Sequence, residues 1–182
     1  MSHMHSRSLS ALALSVALVL LSVTTNRAAE AAAEFSKPVI DIGIVVSDLA
    51  KSAAFYTNAI GFKEVPGFKV PAERATEIGL TDNQPADIRV FVLGEGNLAT
   101  RIKLMSFPQA PGAKADQKFI HSTVGMRYLT LYVTDLSAAL KRLESEKVKL
   151  LGKTPTDLGG GTWIAVFHDP DGNFIELVGP RK

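Results

Sequence analysis

Two stretches of this chain follow the same pattern, "DIGIVVSDLAKSAAFY" from Asp41 and "YLTLYVTDLSAALKRL" from Tyr128, 87 positions later. In each, the residues first alternate as in a half-buried β-strand, and a helical pattern follows. The junctions, Ser47-Asp48 and Thr134-Asp135, carry side-chain oxygens suited to capping the first turn of a helix. Solenoids need at least three repeats, so two copies predict one pseudo-symmetric domain.

The ends of the two copies are also alike. "RIKLM" at 101–105 and "FIELV" at 174–178 are both strand patterns with one charge among apolar residues. Each half therefore reads as a strand, a helix and two or three further strands. The segment between the halves is rich in Pro, Gly and Ala, which is typical of a linker. We predict a single domain over 38–180, built from a module at 38–106, a linker at 107–125 and a module at 126–180.

Alternation along the strands divides the side chains into two faces. One face is uniformly apolar and should pack on the helices: Ile40, Ile42, Ile44, Val46, Ile102, Leu104, Leu129, Leu131, Val133, Ile175 and Leu177. The other mixes small, aromatic and charged residues: Asp41, Gly43, Val45, Arg101, Lys103, Met105, Tyr128, Thr130, Tyr132, Phe174, Glu176 and Val178. A solvated face would carry more Lys, Glu and Ser. We interpret the mixed face as the lining of a concave pocket; the alternative is an exposed or dimer-covered face.

The strand pattern "DIRVFVLG" at 87–94 fits the same scheme. It places Ile88, Val90 and Val92 in the core and leaves Arg89 and Phe91 on the pocket side. Arg89 and Arg101 would then be candidates for bidentate binding of an acidic substrate. The alternative for both is a surface ion pair. The predicted substrate-binding residues are Arg89, Arg101, Tyr132, Phe91, Met105 and Phe174.

The N-terminus predicts export. A basic start with Arg7, an apolar run from Ser8 to Val23 and a small-residue exit are typical of a signal peptide over residues 1–33. The letters "SHMHS" resemble a vector-derived remnant, and an uncleaved membrane anchor is the alternative. Cleavage would release the protein from the membrane into the periplasm or the medium. The chain has no cysteine, which excludes a lipoprotein and disulfides.

Charge excludes two classes of partner. The whole chain has 20 Lys and Arg against 18 Asp and Glu, and the predicted leader accounts for Arg7, Arg27 and Glu30. The mature chain is therefore nearly neutral, with no basic block. Binding to nucleic acid or to a bulk membrane surface is not expected.

Three motifs together resemble the vicinal oxygen chelate superfamily, which includes glyoxalase I, extradiol dioxygenases and the bleomycin- and fosfomycin-resistance proteins. They are "VSDLAKSAAFYTNAIGF", "VTDLSAAL" and "DPDGNFIEL". The likeness covers roughly residues 38–180. It implies an α+β fold of two paired βαβββ modules, whose mixed sheets form a cup around a small-molecule site. The fold hosts many chemistries, so the resemblance does not identify the reaction.

In metal-using members of that superfamily, the first, fourth, fifth and eighth strands supply His, Gln or Glu ligands. The matching positions here are Asp41, Lys103, Tyr128 and Glu176. Only Glu176 is a standard ligand, and a catalytic site generally needs three. We therefore expect no metal cofactor. Instead, Lys103 should compensate Asp41 and Glu176, with Tyr128 hydrogen-bonding nearby. If a divalent Zn, Fe, Mn, Ni or Mg ion did bind, Asp41 and Glu176 would be its ligands.

Three functions remain open at this stage. The first is an exported glyoxalase-like or bleomycin-resistance-like protein that binds a small molecule. The second is an enzyme: a metal-dependent lyase, isomerase or dioxygenase, or a metal-free catalyst. The latter would use Glu176 or Asp41 as base and Tyr128 or Lys103 as acid. The third is an interaction protein that uses the cup as an oligomer surface. A homodimer is the expected assembly, and His168, which precedes the Asp169-Pro170 turn, is expected to be a surface or turn residue and not a ligand.

Overall fold

The computed structural model describes residues 35–37, 39–96 and 98–182, and Ile40–Lys182 form one compact unit. The predicted signal peptide at 1–33 lies outside the described residues. Within the part that is described, no helix is both long and apolar enough to cross a membrane.

The first module consists of a four-stranded sheet and helical segments. Its elements are β1 (Asp41–Val45), α1 (Leu49–Ala54, continued by a π-helical segment Phe55–Ile60), β2 (Lys63–Val70), α2 (Ala72–Glu77), β3 (Ala86–Leu93) and β4 (Thr100–Met105). The strand order is β1-β4-β3-β2. Strand β1 pairs with β4 in parallel, whereas the other pairs are antiparallel.

The second module repeats this topology. Its elements are β5 (Tyr128–Tyr132), α3 (Leu136–Ser145), β6 (Thr156–Gly159), β7 (Thr162–His168) and β8 (Phe174–Pro180). The strand order β5-β8-β7-β6 again has a parallel pair, β5 with β8. The α+β fold of two βαβββ modules is confirmed. The short helix α2 has no counterpart in the second module and was not predicted.

Local signals define the two main helices as expected. The Asp48 carboxylate accepts a hydrogen bond from the Lys51 amide at 2.9 Å, and Asp135 accepts one from the Ser137 amide at 2.9 Å. These bonds satisfy N–H groups that have no partner inside the helix. The helical segment that follows α1 ends at Gly61, whose φ of 98° suits a residue without Cβ.

A single core receives side chains from both modules. Ile102 and Leu104 on β4 and Ile175 and Leu177 on β8 are essentially buried, as the alternation predicted. Further predicted core residues pack against them from β1 and β5. Ile40 does not: it precedes β1 and is 78% exposed. A shared core makes the two halves one domain, because neither buries its apolar face alone.

The prediction of which β3 side chains face the core was wrong: the two faces of the strand are exchanged. Phe91 lies opposite Ile102, so it belongs to the core face, and its side chain is fully buried. Val90 lies opposite Lys103 on the other face. Because side chains alternate, this register moves Ile88, Val90 and Val92 to the pocket side and Phe91 and Arg89 to the helix side.

Polar contacts join the modules at the β7–β8 turn, "DPDGN". The Tyr56 hydroxyl donates to the buried Asp169 carboxylate at 3.0 Å. Two residues further along the turn, Asp171 accepts hydrogen bonds from the Ser47 amide at 3.1 Å and from the Ser47 hydroxyl. Burial and the neighbouring Asp169 carboxylate raise the pKa of the Tyr56 phenol well above its usual range. Tyr56 is therefore a permanent donor to Asp169.

A second polar link lies at the end of the π-helical segment. The Arg142 guanidinium, on α3, donates to the carbonyls of Ala59 at 2.9 Å and Ile60 at 3.0 Å. Terminal helix carbonyls have no partner within the helix, and a cation there also interacts favourably with the helix dipole.

Replacing Tyr56 by Phe should lower the free energy of unfolding by about 1–3 kcal/mol. The change removes a hydrogen bond to a buried carboxylate and leaves the aromatic packing in place. Denaturant titration of Tyr56→Phe measures the effect. Tyr132→Phe is the matched control, because the Tyr132 side chain is 81% exposed. Equal loss in both variants would contradict a special role for the buried hydroxyl.

Candidate functional site

The non-core face of the first sheet is ordered in rows that run across the four strands. One row is Lys63, Val92, Arg101 and Asp41; the next is Val65, Val90, Lys103 and Gly43. Residues opposite one another on paired strands share a face, so the register alone assembles this surface. Polar and charged side chains dominate the first row, and apolar side chains dominate the second.

The bulge in β2 extends this surface. The register of β2 shifts between Val65 and Phe68, which brings Phe68 opposite Ile88. Gly67 lies inside the bulge, where a Cβ would come within 2.0 Å of the Ile88 carbonyl oxygen. Only glycine fits such a close backbone approach. The bulge thus places an aromatic ring at the apolar end of the rows.

These rows form the wall of an open cavity of about 820 Å³, which we call the first cup. Its lining includes Asp41, Lys63, Val65, Phe68, Val90, Val92, Arg101 and Lys103, with Gly94, Glu95 and Gly96 at one rim. Ligand pockets for small molecules typically measure roughly 300–1,000 Å³, so the first cup has the size of a binding site. A second cavity, lined by β1, β5 and Phe174, measures only about 220 Å³.

Lys103 and Asp41 form an ion pair in the wall of the first cup. The Lys103 Nζ lies 2.8 Å from Asp41 Oδ2, and the two side chains are 30% and 36% exposed. The same ammonium group lies 5.8 Å from the centroid of the Phe68 ring. Lys103 therefore lies beside both a carboxylate and an aromatic side chain.

The second module carries an equivalent face with different chemistry. Its rows are Tyr128, Phe174 and His168; Thr130, Glu176 and Val166; and Tyr132, Val178 and Ile164. Glu176 is the one charged residue that these three rows contain. Its carboxylate accepts a hydrogen bond from the Thr130 hydroxyl at 2.6 Å.

The predicted contact between Glu176 and Lys103 was wrong. Among the residues that the structure describes, Lys103 pairs with Asp41, and no ion pair connects it to Glu176. Thr130, and not Tyr128, is the hydrogen-bonding neighbour of Glu176; Tyr128 is 52% exposed. The reason is topological, because β4 and β8 belong to separate sheets and each carboxylate finds its partner within its own sheet.

This arrangement does not fit a divalent cation at the four family positions. No group of three His, Cys, Asp or Glu side chains within residues 39–96 and 98–182 is arranged to hold a metal ion. An ammonium group 2.8 Å from the Asp41 carboxylate would repel a dication there. Of the candidate acids and bases of the metal-free alternative, Asp41 and Lys103 lie together in the first cup, whereas Glu176 lies on the second sheet with Thr130 as its hydrogen-bond donor.

Two of the predicted substrate-binding residues, Arg89 and Phe91, lie on the opposite face of the first sheet from the cup. Arg89 forms a two-point ion pair with Glu64, with both N–O distances 2.7 Å, on the helix side of the sheet. These hydrogen bonds lower the pKa of Glu64. Phe91 is buried beneath the Arg89 guanidinium, whose carbon lies 5.6 Å from the ring centroid. Both corrections follow from the register of β3.

The remaining predicted residues lie on the expected faces. Arg101 lines the first cup, and Met105 packs with Ile88 and Val90 in a small apolar cluster at its end. In the second module, Tyr132 is 81% exposed, whereas Phe174 is buried and borders the smaller cavity. Their binding roles remain predictions, as does the homodimer.

Three residues that sequence reasoning left out of the pocket belong to these faces. Lys63 lines the first cup from β2. The apolar and polar residues of β2 alternate too irregularly for the sequence to assign its side chains to a face. Phe68 follows the β2 bulge, whose only sequence signal is Pro66-Gly67. His168 ends β7 instead of occupying a surface turn, and its ring stacks edge-on against Phe174, with ring centroids 4.5 Å apart.

His168 is a half-buried histidine with an unpartnered nitrogen. Its Nε2 is buried and has no hydrogen-bond partner among the described residues. Burial lowers the pKa of His168, and the nearby Asp169 carboxylate opposes this only in part. The neutral ring is therefore the form that suits the folded protein.

His168 should make the protein less stable in mild acid. Its folded pKa lies below the unfolded value of about 6.5, so the unfolded state binds more protons, and stability falls as the pH drops below about 6.5. Between pH 7.5 and pH 5, the melting temperature of His168→Leu should therefore fall by less than that of the wild-type protein. Thermal unfolding across that range checks this. Parallel pH profiles for the two proteins would contradict it.

Comparison with known proteins gives a family match and one curated relative. The family model described as "Glyoxalase/Bleomycin resistance protein/Dioxygenase superfamily" matches residues 39–177. The uncharacterized protein YaeR of Escherichia coli (strain K12) is 30% identical over 141 residues, which cover 78% of this chain and 95% of that protein.

Solved structures agree on the fold. A glyoxalase family protein from Bacillus cereus superposes with a TM-score of 0.68 at 20% identity, covering 82% of this chain and 99% of the other. A glyoxylase/bleomycin resistance protein/dioxygenase domain from Frankia sp. EAN1pec gives a TM-score of 0.55 at 22% identity, covering 81% and 92%. At these identities the likeness is one of fold alone.

Proposed function

The chain belongs to the Glyoxalase/Bleomycin resistance protein/Dioxygenase superfamily, and from this premise we propose that it binds a small organic molecule in the first cup without a divalent metal. The observation that carries the proposal is the cavity of about 820 Å³ whose wall holds Lys103 paired with Asp41. Both residues stand at positions that supply metal ligands in metal-using relatives. A charge-compensated pair leaves the cavity available to a ligand while removing the negative charge that would attract a cation.

Filling the first cup should abolish ligand binding. Val92 lines the cavity and is only partly buried, so Val92→Trp adds bulk there without invading the core. A fragment library of neutral, anionic and cationic compounds, screened by NMR, should give hits that shift amides of cup residues in wild type and fail to bind Val92→Trp. Leu158→Trp is the control, because Leu158 lies on β6 and is 57% exposed. Hits that bind Val92→Trp unchanged would place the site elsewhere.

The protein should retain no metal at the family position. Protein purified without chelator should contain far less than one equivalent of metal. Zn²⁺, Mn²⁺, Ni²⁺, Fe²⁺ and Mg²⁺ should not raise its melting temperature, because the Lys103 ammonium occupies the side of Asp41 that a cation would need. Elemental analysis and thermal-shift titration measure both quantities. Stoichiometric metal whose stabilisation disappears in Glu176→Gln, but persists in the exposed-site control Glu146→Gln, would refute the proposal.

We further propose that the protein acts outside the cytoplasm. The support is the apolar run from Ser8 to Val23, which is followed by small residues. Cell fractionation should find the chain in the periplasm or the medium, with a new N-terminus near Ala31 or Ala33. Full-length chain in the membrane fraction would indicate the uncleaved anchor instead, and full-length chain in the cytoplasm would refute export.

A further inference from the structure

We propose that the first cup selects organic monoanions, compounds with one carboxylate-like group and an apolar body, and that Arg101 and Lys63 hold the anionic group. The inference rests on the proposed function of the cup and names the class of its ligand. It comes from the arrangement of charge along the rows of the first sheet.

The two cations occupy one row. Lys63 lies opposite Val92 on β3, and Val92 lies opposite Arg101 on β4, so the two basic residues flank a single valine on the same face. Neighbouring strands are about 4.8 Å apart, which puts the two backbones roughly 10 Å from each other. Side chains of this length can converge on one anion placed above Val92.

Neither cation is compensated by another described residue. The Arg101 side chain is half-buried and Lys63 is exposed, and no hydrogen bond or ion pair of either is found among residues 39–96 and 98–182. The third cation of the cup, Lys103, is paired with Asp41. Glu95 is the remaining carboxylate of the lining, and it lies exposed at the rim between Gly94 and Gly96. Positive charge therefore predominates in the wall of the cup.

The other end of the cup is apolar. Val65, Val90 and Phe68 line it, and behind them Ile88, Met105 and Phe107 close a small hydrophobic cluster. Successive rows on one face are about 7 Å apart along the strands. A ligand with its charge at Arg101 would therefore extend its apolar part across Val90 towards the Phe68 ring.

The second module lacks this arrangement, although its topology is the same. Phe174 pairs with Tyr128 just as Arg101 pairs with Asp41, so a phenyl ring stands where the first module has a guanidinium. Glu176 is the charged residue of that face. Anion selectivity is thus a property of the residues that differ between the halves and not of the fold they share.

Three probes of one shape separate charge from apolar contact: 4-phenylbutanoate, its neutral amide 4-phenylbutanamide, and 4-phenylbutylamine. Isothermal titration calorimetry on the full domain should show the carboxylate binding at least about tenfold more tightly than the amide, and the amine most weakly, because hydrogen bonds to a charged group are the stronger kind. Arg101→Gln should abolish the difference between carboxylate and amide. Arg74→Gln, on the exposed helix α2, should preserve it.

The outcomes distinguish the ligand class from the function. Equal affinity for carboxylate and amide, or no effect of Arg101→Gln, would overturn the anion proposal. The proposed function would survive that result if Val92→Trp still abolished binding of the amide. Failure of all three probes to bind at millimolar concentration would also overturn the ligand class, and the function would then stand or fall with the fragment screen.

Discussion

The buried hydrogen bond between Tyr56 and Asp169 is the contact on which the arrangement of the two modules depends. A carboxylate that is only 5% exposed is costly unless its lone pairs are satisfied. Asp169 meets this demand with the Tyr56 hydroxyl, the amides of Asp171 and Asn173, and the Asn173 side chain. The turn is thereby tied to the helical segment of the first module. That segment in turn presents Phe55 to Phe167 across the shared core.

Once the modules are joined in this way, their outer faces are free to differ. The core faces of β4 and β8 are equivalent, with Ile102 and Leu104 matched by Ile175 and Leu177. The opposite faces carry an arginine and a lysine in one half and a phenylalanine and a glutamate in the other. Packing constrains the first set strongly, because a core residue loses stability with each change of volume. It constrains the second set only weakly, so the chemistry of the protein resides there.

The sequence predicts the elements well and the meeting of distant side chains poorly. The repeat, the Asp48 and Asp135 caps and the alternation of β4 and β8 are local signals, and the structure confirms each of them. In β3 the run "VFVL" is apolar at every position, so alternation cannot assign its faces. The pairing of Phe91 with Ile102 determines which face of β3 is buried, and strand pairing depends on the tertiary structure. The supposed Lys103–Glu176 contact failed for the same reason, since it required knowing how two separate sheets are placed.

The Lys103–Asp41 ion pair matters more for the charge of the cavity wall than for the stability of the fold. A pair whose side chains remain about one third exposed contributes only about 0–1 kcal/mol to folding, because water screens the attraction and both side chains lose freedom. Its main effect is on the charge of the cavity wall. Neutralising Asp41 lowers the negative potential that would draw in a dication. It also leaves the Arg101 guanidinium, in the same row as Asp41, without an ion pair among the described residues. Under the function proposed here, one lysine therefore has two effects: it opposes a cation beside Asp41, and it adds to the positive charge that an anionic ligand would meet in the cup.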